Sequence, residues 1–284
     1  MDSNELLEIA KDIRKTLDDV RREKKLSFVE ETHTYGIYDP VNERITTNLP
    51  SVSGLLKNWY TPFDALEKSL QKTNQDEKEA EKLRNKWSAK GDMSSSVGSY
   101  AHFKLEQYVW NLFDIDMNPR KPQYNLTPSD LLEAQKMLKV GVNLVHTIID
   151  NGFVPLATEC IMGSYELGYF GQCDNIWIGE FKGNIVFLMT DYKTNLSKNF
   201  SVMPYNKPML EPFSSLMDTA LSKYFIQQPL YAQLFKDMLK DTPFKDIPFI
   251  GFRVLHLREN GESIKIPRWV YDEVQQLYPI KNND

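Results

Sequence analysis

The chain has 284 residues, of which 41% are hydrophobic and 12% aromatic, so it can bury a substantial core as one large domain or two small ones. No stretch approaches the roughly 20 apolar residues of a membrane-spanning helix, and the N-terminal segment alternates acids with bases, unlike a secretory signal or a transit peptide. We therefore expect a globular, cytoplasmic protein with no membrane partner. The net charge of −5 disfavours a surface that relies on Lys and Arg alone to neutralise phosphates, but it averages over the whole surface and does not exclude nucleic acid.

Cysteine content limits the metal chemistry that the chain can support. Cys160 and Cys173 are its two cysteines, which is too few for the four thiolates of an iron–sulfur cluster. Neither belongs to a CxxC pair of the kind that binds zinc. We expect both thiols to be reduced and buried in the core.

Apolar periodicity, caps and turn residues predict the secondary structure in chain order. The predicted elements are a helix at 3–25, a hairpin at 27–49 around DPVNER, a short helix starting at Leu49-Pro50-Ser51, helices at 63–87, 94–113 and 128–151, strands near 153–162, 166–178 and 184–192, a helix at 218–241, a strand pair at 247–266 and a last helix near Pro267. This order predicts an α/β or α+β fold with a mixed central β-sheet flanked by helices. We divide it into an N-terminal helical and hairpin extension, residues 1–90, packed on a core of residues 91–284.

The strands on either side of GEFKGN are predicted to form a hairpin, because the glycines between them suit a turn. A loop over residues 181–184 pairs Glu180 with Ile185, and the same register sets Asp174 directly opposite Asp191. Paired side chains on one sheet face have Cβ atoms about 4.5–5.5 Å apart, so two like charges there destabilise the sheet unless something compensates them.

A divalent cation would compensate this pair of aspartates. Mg²⁺ and Mn²⁺ prefer hard oxygen ligands, and carboxylates on two rigid neighbouring strands can hold one. Lys193 lies two residues after Asp191 and therefore projects from the same face, where its ammonium can orient an attacking water or stabilise a phosphate oxygen. An isolated DxK sequence more often ends a strand as solvated residues, so the matching position of Asp174 is the observation that favours a metal site.

The segment GSYAHFKLEQYV, residues 98–109, is predicted to be a helix in which His102 and Glu106 interrupt an apolar face. Neutral imidazole is a common metal ligand, and Glu106 one turn later can orient it or remain nearby as a base. The alternative for His102 is a hydrogen-bonded residue of the core. Gly98 would permit a close approach of this helix to the sheet.

The predicted helix at 218–241 places Gln227 and Tyr231 four residues apart on one face, where an amide and a phenol lie side by side. The alternative is an amphipathic helix whose tyrosine packs in the core. Pro229 interrupts this run and predicts either a kink or the start of the helix.

These segments together carry a resemblance to a known family. Residues 98–106, 171–174, 191–194 and 227–231 resemble, in this order, the motifs of the RecB-type branch of the PD-(D/E)XK nuclease superfamily. Within that branch the chain is most similar to phage-encoded exonuclease-like proteins and, more distantly, to the mitochondrial genome maintenance exonuclease. LPSVSGLL at 49–56 and the run from MLEPFSSL to LYAQLF add to the resemblance. The 17-residue spacing from Asp174 to Asp191 departs from it by being somewhat long.

The resemblance implies a restriction-endonuclease-like core and a metal-dependent DNA exonuclease that hydrolyses phosphodiester bonds, with Mg²⁺ or Mn²⁺ as cofactor and without an iron–sulfur cluster. The metal ligands that it implies are His102, Asp174, Asp191 and the backbone carbonyl of Tyr192, with Glu159 and Glu106 as further candidates. The catalytic residues that it implies are Lys193, Asp191 and Asp174, supported by Gln227 and Tyr231. It implies DNA as the partner, at its ends and preferably single-stranded, in phage-type recombination, replication, repair or DNA degradation in the cytoplasm of a host cell.

A long connection at residues 195–217 combines aromatic and basic residues, and connections of this length in compact domains are often functional. Such residues can stack the bases and neutralise the phosphates of a single strand. The candidate substrate-binding residues are Lys198, Phe200, Tyr205 and Lys207. The alternative is that the aromatic residues only hold the loop against the domain. The opposite wall of the path is predicted to contain Trp59, Tyr60 and the basic helix around Lys82, Arg84, Lys86 and Lys90.

A hypothesis from a different class remains open at this point. The chain could be a non-catalytic nucleic-acid-binding or scaffold protein that retains the nuclease fold. The two hypotheses differ in whether the purified chain degrades DNA in the presence of a divalent metal.

Overall fold

The computed structural model of the chain describes residues 1–29, 32, 34–115, 124, 126–196, 200–201 and 207–280. Its helices are α1 Ser3–Glu23, α2 Val52–Leu56, α3 Ala65–Lys72, α4 Glu77–Leu112, α5 Pro128–Asp150, α6 Ala220–Leu239 and α7 Arg268–Leu277. Its strands are β1 Ser27–Val29, β2 Thr34–Asp39, β3 Arg44–Thr46, β4 Phe153–Ser164, β5 Tyr169–Phe181, β6 Asn184–Lys193, β7 Phe249–His256 and β8 Glu262–Lys265.

A mixed five-stranded sheet with the order β4-β5-β6-β7-β8 forms the centre of the fold. Neighbouring strands are antiparallel except β6 and β7, which are parallel and are therefore joined by a long crossover that contains α6. A smaller antiparallel sheet has the order β1-β2-β3. The prediction of an α+β fold with a mixed central sheet flanked by helices is confirmed.

Helices cover both faces of the central sheet, because side chains along each strand alternate between the two faces. On one face, Ile176 and Met189 belong to a core that includes residues of α1, α6 and α7. On the other face, Trp177 and Leu188 pack with residues of α4 and α5. The near-continuous apolar sequence of β6 follows from this burial on both sides.

The N-terminal helix is part of the main core. Asp2 and Glu5 form a capping box at its start, and its apolar stripe, which includes Leu6, Ile13 and Leu17, is buried in the same cluster as β4 and α6. No helix in the described part of the chain combines the length and the apolar character that crossing a membrane requires.

The predicted helices at 63–87 and 94–113 are wrong in their boundaries. Asn74 and Gln75 adopt positive φ angles of 51° and 67°, which end α3, and Asp76 then caps α4. From there α4 continues for 36 residues through Gly91 without a break. The boundary that we placed at residue 90 therefore falls inside a helix, so the N-terminal extension and the core share α4.

Candidate metal centre

The β5–β6 hairpin has the register that the sequence predicts. Glu180 pairs with Ile185, and the pairing continues to Asn175 opposite Thr190. The loop is shorter than predicted, because its two central residues, at positions 182 and 183, both have positive φ angles and close a two-residue turn. One position beyond the last recorded pair, this register sets Asp174 opposite Asp191.

The two aspartates lie where β5 and β6 diverge, and neither is fully exposed. An oxygen of Asp174 accepts a 2.7 Å hydrogen bond from the backbone N–H of Tyr192, and Asp191 is ion-paired with Lys193. Burial, followed by the neighbouring charge of Asp174, raises the pKa of Asp191 to about 7. Burial also raises the pKa of Asp174. A cation is therefore the natural third partner of this pair.

The ammonium of Lys193 is buried beside these carboxylates. Burial lowers its pKa, but the charges of Asp191 and Asp174 outweigh that effect and hold the pKa above its usual value. The same ammonium lies 4.4 Å from the ring centre of Tyr224. Lys193 is therefore charged at neutral pH and held in position by an acid on one side and an aromatic face on the other.

His102 extends from α4 toward the same point. Its Nδ1 lies 3.3 Å from an oxygen of Asp174, and its ring forms a hydrogen bond with the backbone of Tyr192. Burial, together with the positive charge of Lys193, lowers the pKa of His102 to about 4. The imidazole is consequently neutral near pH 7, which is the form that binds metals. The carbonyl of Tyr192 stays a predicted ligand.

Glu159 joins His102 and Asp174 in a group whose three ligand atoms lie within 4.8 Å of one another. It occupies the position on β4 between the pairs that Thr158 and Cys160 make with β5. Its φ angle of 44° is in the left-handed region, which is strained for a residue with a side chain and persists where surrounding structure enforces it. The sequence ranked Glu159 below the aspartates, whereas the structure groups it with His102 and Asp174 and leaves Asp191 outside this group of three.

Glu106 lies behind this group and is held by residues that the sequence did not indicate. Thr158 Oγ1 donates a 2.9 Å hydrogen bond to Glu106, and the indole N–H of Trp110 donates to Thr158. The charge of Glu106 contributes to the raised pKa of Asp174. Glu106 is therefore close enough to influence the site, but it is not one of the three clustered ligands.

Gln227 and Tyr231 form the predicted pair on α6. The amide nitrogen of Gln227 donates a 2.7 Å hydrogen bond to the phenol oxygen of Tyr231. Burial raises the pKa of Tyr231, and the charges of Asp191 and Asp174 raise it further, which shows that the phenol is near both acids. Pro229 lies inside the helix, which begins at Ala220, so it does not mark the helix start.

Two glycines permit the close packing of helices against the sheet around the site. A Cβ atom on Gly98 would lie 2.7 Å from the hydroxyl oxygen of Thr194, as expected for a helix that approaches the sheet closely. A Cβ atom on Gly171 would lie 2.7 Å from the ring of Tyr231. Both distances are too short for ordinary contacts, so neither position accepts a side chain without displacement of a neighbour.

Gly171→Ala is expected to destabilise the fold by about 1–3 kcal/mol, because it forces the buried ring of Tyr231 to move. Chemical denaturation measures this change. Gly251→Ala is the matched control, since Gly251 is also in the central sheet but has no atom within 4 Å of the added Cβ. Equal stabilities of the two variants would contradict close packing of Tyr231 on β5.

A cleft of about 500 Å³ opens beside His102 and Lys193. Its further lining includes Trp87, Lys90 and Arg258, and the side of α4 that faces it carries small residues. Arg258 also donates a hydrogen bond to the carbonyl of Thr194 and pairs with Glu133. The sequence reasoning included Lys90 but missed Arg258, which follows β7 and gave no local signal.

The residues at 195–217 that we predicted to contact substrate differ in their exposure. Phe200 is 3% exposed, and its ring is stacked on that of His256 with 4.0 Å between the ring centres. Phe200 therefore holds the connection against the sheet. The prediction that it stacks a nucleobase is wrong, because its ring is not available. Lys207 is exposed and donates to Thr61. Lys198 and Tyr205 lie outside the described residues.

Residues predicted for the opposite wall are also mostly engaged elsewhere. Trp59 is buried against Phe213, and the ring of Tyr60 is covered by the ammonium of Lys223. The remaining basic residues differ in their contacts: Lys82 pairs with Glu79, and Arg84 pairs with Glu77. Lys90 lines the cleft.

The donor set is compatible with a hard divalent cation. It consists of carboxylate oxygens and one neutral imidazole, without a thiolate among the clustered atoms. Mg²⁺ and Mn²⁺ bind to oxygen-rich sets of this kind, and Mn²⁺ accepts an imidazole more readily.

Comparison of the chain with models of known protein families finds no match, and comparison with curated proteins finds none either. A function therefore has to be inferred from the geometry of these side chains.

Proposed function

We propose that the protein is a metal-dependent DNA exonuclease that hydrolyses phosphodiester bonds. The observation that carries this proposal is the convergence of His102, Glu159 and Asp174 within 4.8 Å, next to the buried Asp191–Lys193 ion pair. An acidic cluster alone would suggest only cation binding. A charged lysine directly beside it adds a group that can act on a phosphate or on water.

A bound Mg²⁺ or Mn²⁺ would polarise the scissile phosphate and lower the pKa of a coordinated water. The residues of the site have two further roles, metal binding and the orientation of water. His102, Glu159 and Asp174 would hold the ion, with Asp191 as a further ligand. The ammonium of Lys193 faces the cleft, where it orients the attacking water and stabilises charge that develops on a phosphate oxygen.

Neighbouring residues keep Lys193 in one position. Asp191 binds its ammonium and Tyr224 covers it, while the hydroxyl of Tyr224 is fixed by a 2.8 Å hydrogen bond to Asn195. The Gln227–Tyr231 pair lies within electrostatic range of both carboxylates. Such fixed geometry is what makes a charged group effective in a transition state.

The cleft accounts for the choice of substrate. Lys90, Lys193 and Arg258 line it, the last two in ion pairs with Asp191 and Glu133. The partly exposed indole of Trp87, which also contacts Phe63 and Lys72, stands at the same opening. Cations that follow a phosphate backbone, together with an aromatic ring that stacks a base, are typical of single-strand binding. A cleft of about 500 Å³ is in the size range of a pocket for one small ligand, which suits the terminal nucleotide of a single strand.

The purified chain is expected to degrade end-labelled single-stranded DNA with Mg²⁺ or Mn²⁺ and to be inactive in EDTA. Closed circular single-stranded DNA should remain intact, because it offers no end. Substrates blocked at one terminus then give the polarity of digestion. Metal-dependent cleavage of the circle would contradict the exonuclease assignment, and binding without cleavage in any metal would indicate the non-catalytic alternative.

A further inference from the structure

The two cysteines of the chain face each other across neighbouring strands. Cys160 on β4 is paired directly with Cys173 on β5, and both are buried, with exposures of 2% and 0%. Directly opposed residues of antiparallel strands have Cα atoms about 4.5–5.5 Å apart, which lies within the range that a disulfide requires.

A guanidinium group contacts one of the two sulfurs. Arg21 on α1 donates from Nη2 to the sulfur of Cys160 at 3.1 Å. Its other nitrogens are held by the carbonyl of Ile161 and by Asp18. The guanidinium therefore holds this sulfur in one position opposite Cys173.

A cavity gives small molecules access to the same sulfur. It has a volume of about 320 Å³, lies between α1 and β4, and is lined by Arg21, Trp110, Glu159 and Cys160, among others. A hydroperoxide is far smaller than this volume. Cys160 therefore has almost no exposed surface, but it lines a cavity that a small oxidant can occupy.

We propose that Cys160 and Cys173 are an oxidation site, which forms a disulfide on reaction with a hydroperoxide. The thiolate of Cys160 attacks the peroxide oxygen, giving a sulfenic acid and releasing hydroxide or an alkoxide. The sulfur of Cys173 then attacks the sulfenic sulfur, so that the S–S bond forms and water leaves. In total, two thiols are oxidised and one hydroperoxide is reduced.

The position of this pair connects it to the candidate metal centre. Cys160 directly follows Glu159 in the chain, and Cys173 directly precedes Asp174. A disulfide brings the two Cβ atoms to about 3.8 Å, closer than the usual 4.5–5.5 Å of a cross-strand pair, so it draws the strands together at this point. Glu159 already has a strained φ angle and cannot absorb this shift freely.

Oxidation is therefore expected to weaken metal binding at Glu159 and Asp174, a consequence that rests on the proposed function. Mutation of the groups that orient a metal ligand typically lowers metal affinity about 10–100-fold, and we expect displacement of the ligands by the disulfide to have an effect of similar size. Formation of the disulfide does not depend on the nuclease proposal, because it follows from the position of the thiols alone.

Hydrogen peroxide treatment of the native full-length chain, followed by intact mass analysis, tests the proposal. The expected product has lost two hydrogen atoms, with near-UV circular dichroism unchanged during the reaction. Cys173→Ser should instead retain one added oxygen as a sulfenic acid at Cys160, and Arg21→Gln should react more slowly. Retention of both free thiols at peroxide concentrations that oxidise glutathione, or disulfide formation only after loss of the native spectrum, would overturn the proposal.

Calorimetric titration of Mn²⁺ into the reduced and oxidised proteins measures the link to the metal centre without the use of DNA. We expect affinity to fall at least about tenfold on oxidation and to recover on reduction. Equal affinities would overturn the link. A chain that forms the disulfide and binds Mn²⁺ but does not cleave DNA would contradict the proposed function and leave the oxidation site supported.

Discussion

Lys193→Met is expected to lower the rate of metal-dependent DNA cleavage by a factor of about 10³. Methionine retains most of the aliphatic length of the side chain but removes the charge that lies beside Asp191 and faces the cleft. Because the metal ligands are unchanged, Mn²⁺ binding should persist. The loss should therefore appear in kcat and much less in the affinity for the ion.

Lys223→Met is the matched control for this variant. Lys223 is also an ion-paired, partly buried lysine that covers an aromatic ring, but its partners are Asp218 and Tyr60. Single-turnover cleavage of end-labelled DNA at saturating Mn²⁺ measures both variants. A Lys193→Met protein that is folded, binds Mn²⁺ and cleaves within tenfold of the unchanged chain would remove Lys193 from the proposed chemistry.

The hairpin that contains Asp174 and Asp191 could be predicted from the sequence, because residues close together in the chain determine its turn and its register. Two adjacent strand-like segments are joined by a two-residue turn that contains a glycine, and the length of the turn fixes the register of the hairpin. The predicted loop was too long by one residue at each end, but a symmetrical error of this kind leaves the pairing unchanged. The facing aspartates follow directly from that register.

The third acid was harder to predict because the register of β4 on β5 is irregular. The pairing shifts between Pro155 and Ala157, so counting from the end of the strand misplaces Glu159 by one residue. An error of one position in the register assigns a side chain to the opposite face of the sheet. The sequence could nominate Glu159 only through the family resemblance, and the contact with His102 required the tertiary structure.

Contacts between distant segments account for most of what the sequence missed. Arg258 reaches the cleft from the end of β7, and Thr158 connects Trp110 with Glu106 across two elements. Phe200 is an aromatic residue in a basic connection, a pattern that fits base stacking and loop anchoring equally well. The stacking of Phe200 on His256 shows that it anchors the loop. His256 is distant in the sequence, so no local pattern could have indicated it as the partner.

Asp174→Asn is expected to stabilise the metal-free protein at pH 8 and to abolish its stabilisation by Mn²⁺. The amide oxygen can still accept the hydrogen bond from Tyr192, whereas alanine would leave that N–H without an acceptor. The substitution removes one of two neighbouring buried carboxylates and thereby relieves the charge repulsion that contributes to the raised pKa of Asp191. Burial is the first cause of that shift, and the substitution also removes the attraction between Asp174 and Lys193, so a gain on the order of 1 kcal/mol is expected, less than the 1.4 kcal/mol of one pKa unit.

The dependence of this gain on pH follows from the same pKa shift. In the metal-free chain, the pKa of Asp191 is raised from 3.8 to about 7, so the folded state binds more protons than the unfolded state between these values. Its stabilising contribution is present at low pH and is lost as the pH rises through about 7. The lowered pKa of His102 acts in the opposite direction between about 4 and 6.5. The advantage of Asp174→Asn should therefore be large at pH 8 and small at pH 5.

Metal should reverse the order of stability at pH 8. Binding at a concentration of about 100 times Kd stabilises the unchanged chain by about 2.7 kcal/mol, and the variant lacks a ligand for it. Asp218→Asn is the control, because the side chain of Asp218 is 16% exposed against 14% for Asp174 but pairs with Lys223 away from the cluster. It should be slightly destabilised and respond to Mn²⁺ like the unchanged chain. Thermal unfolding in EDTA and in Mn²⁺ measures this reversal of the order of stability. If the metal-free Asp174→Asn protein is less stable than the unchanged chain at pH 8, the two carboxylates do not repel each other.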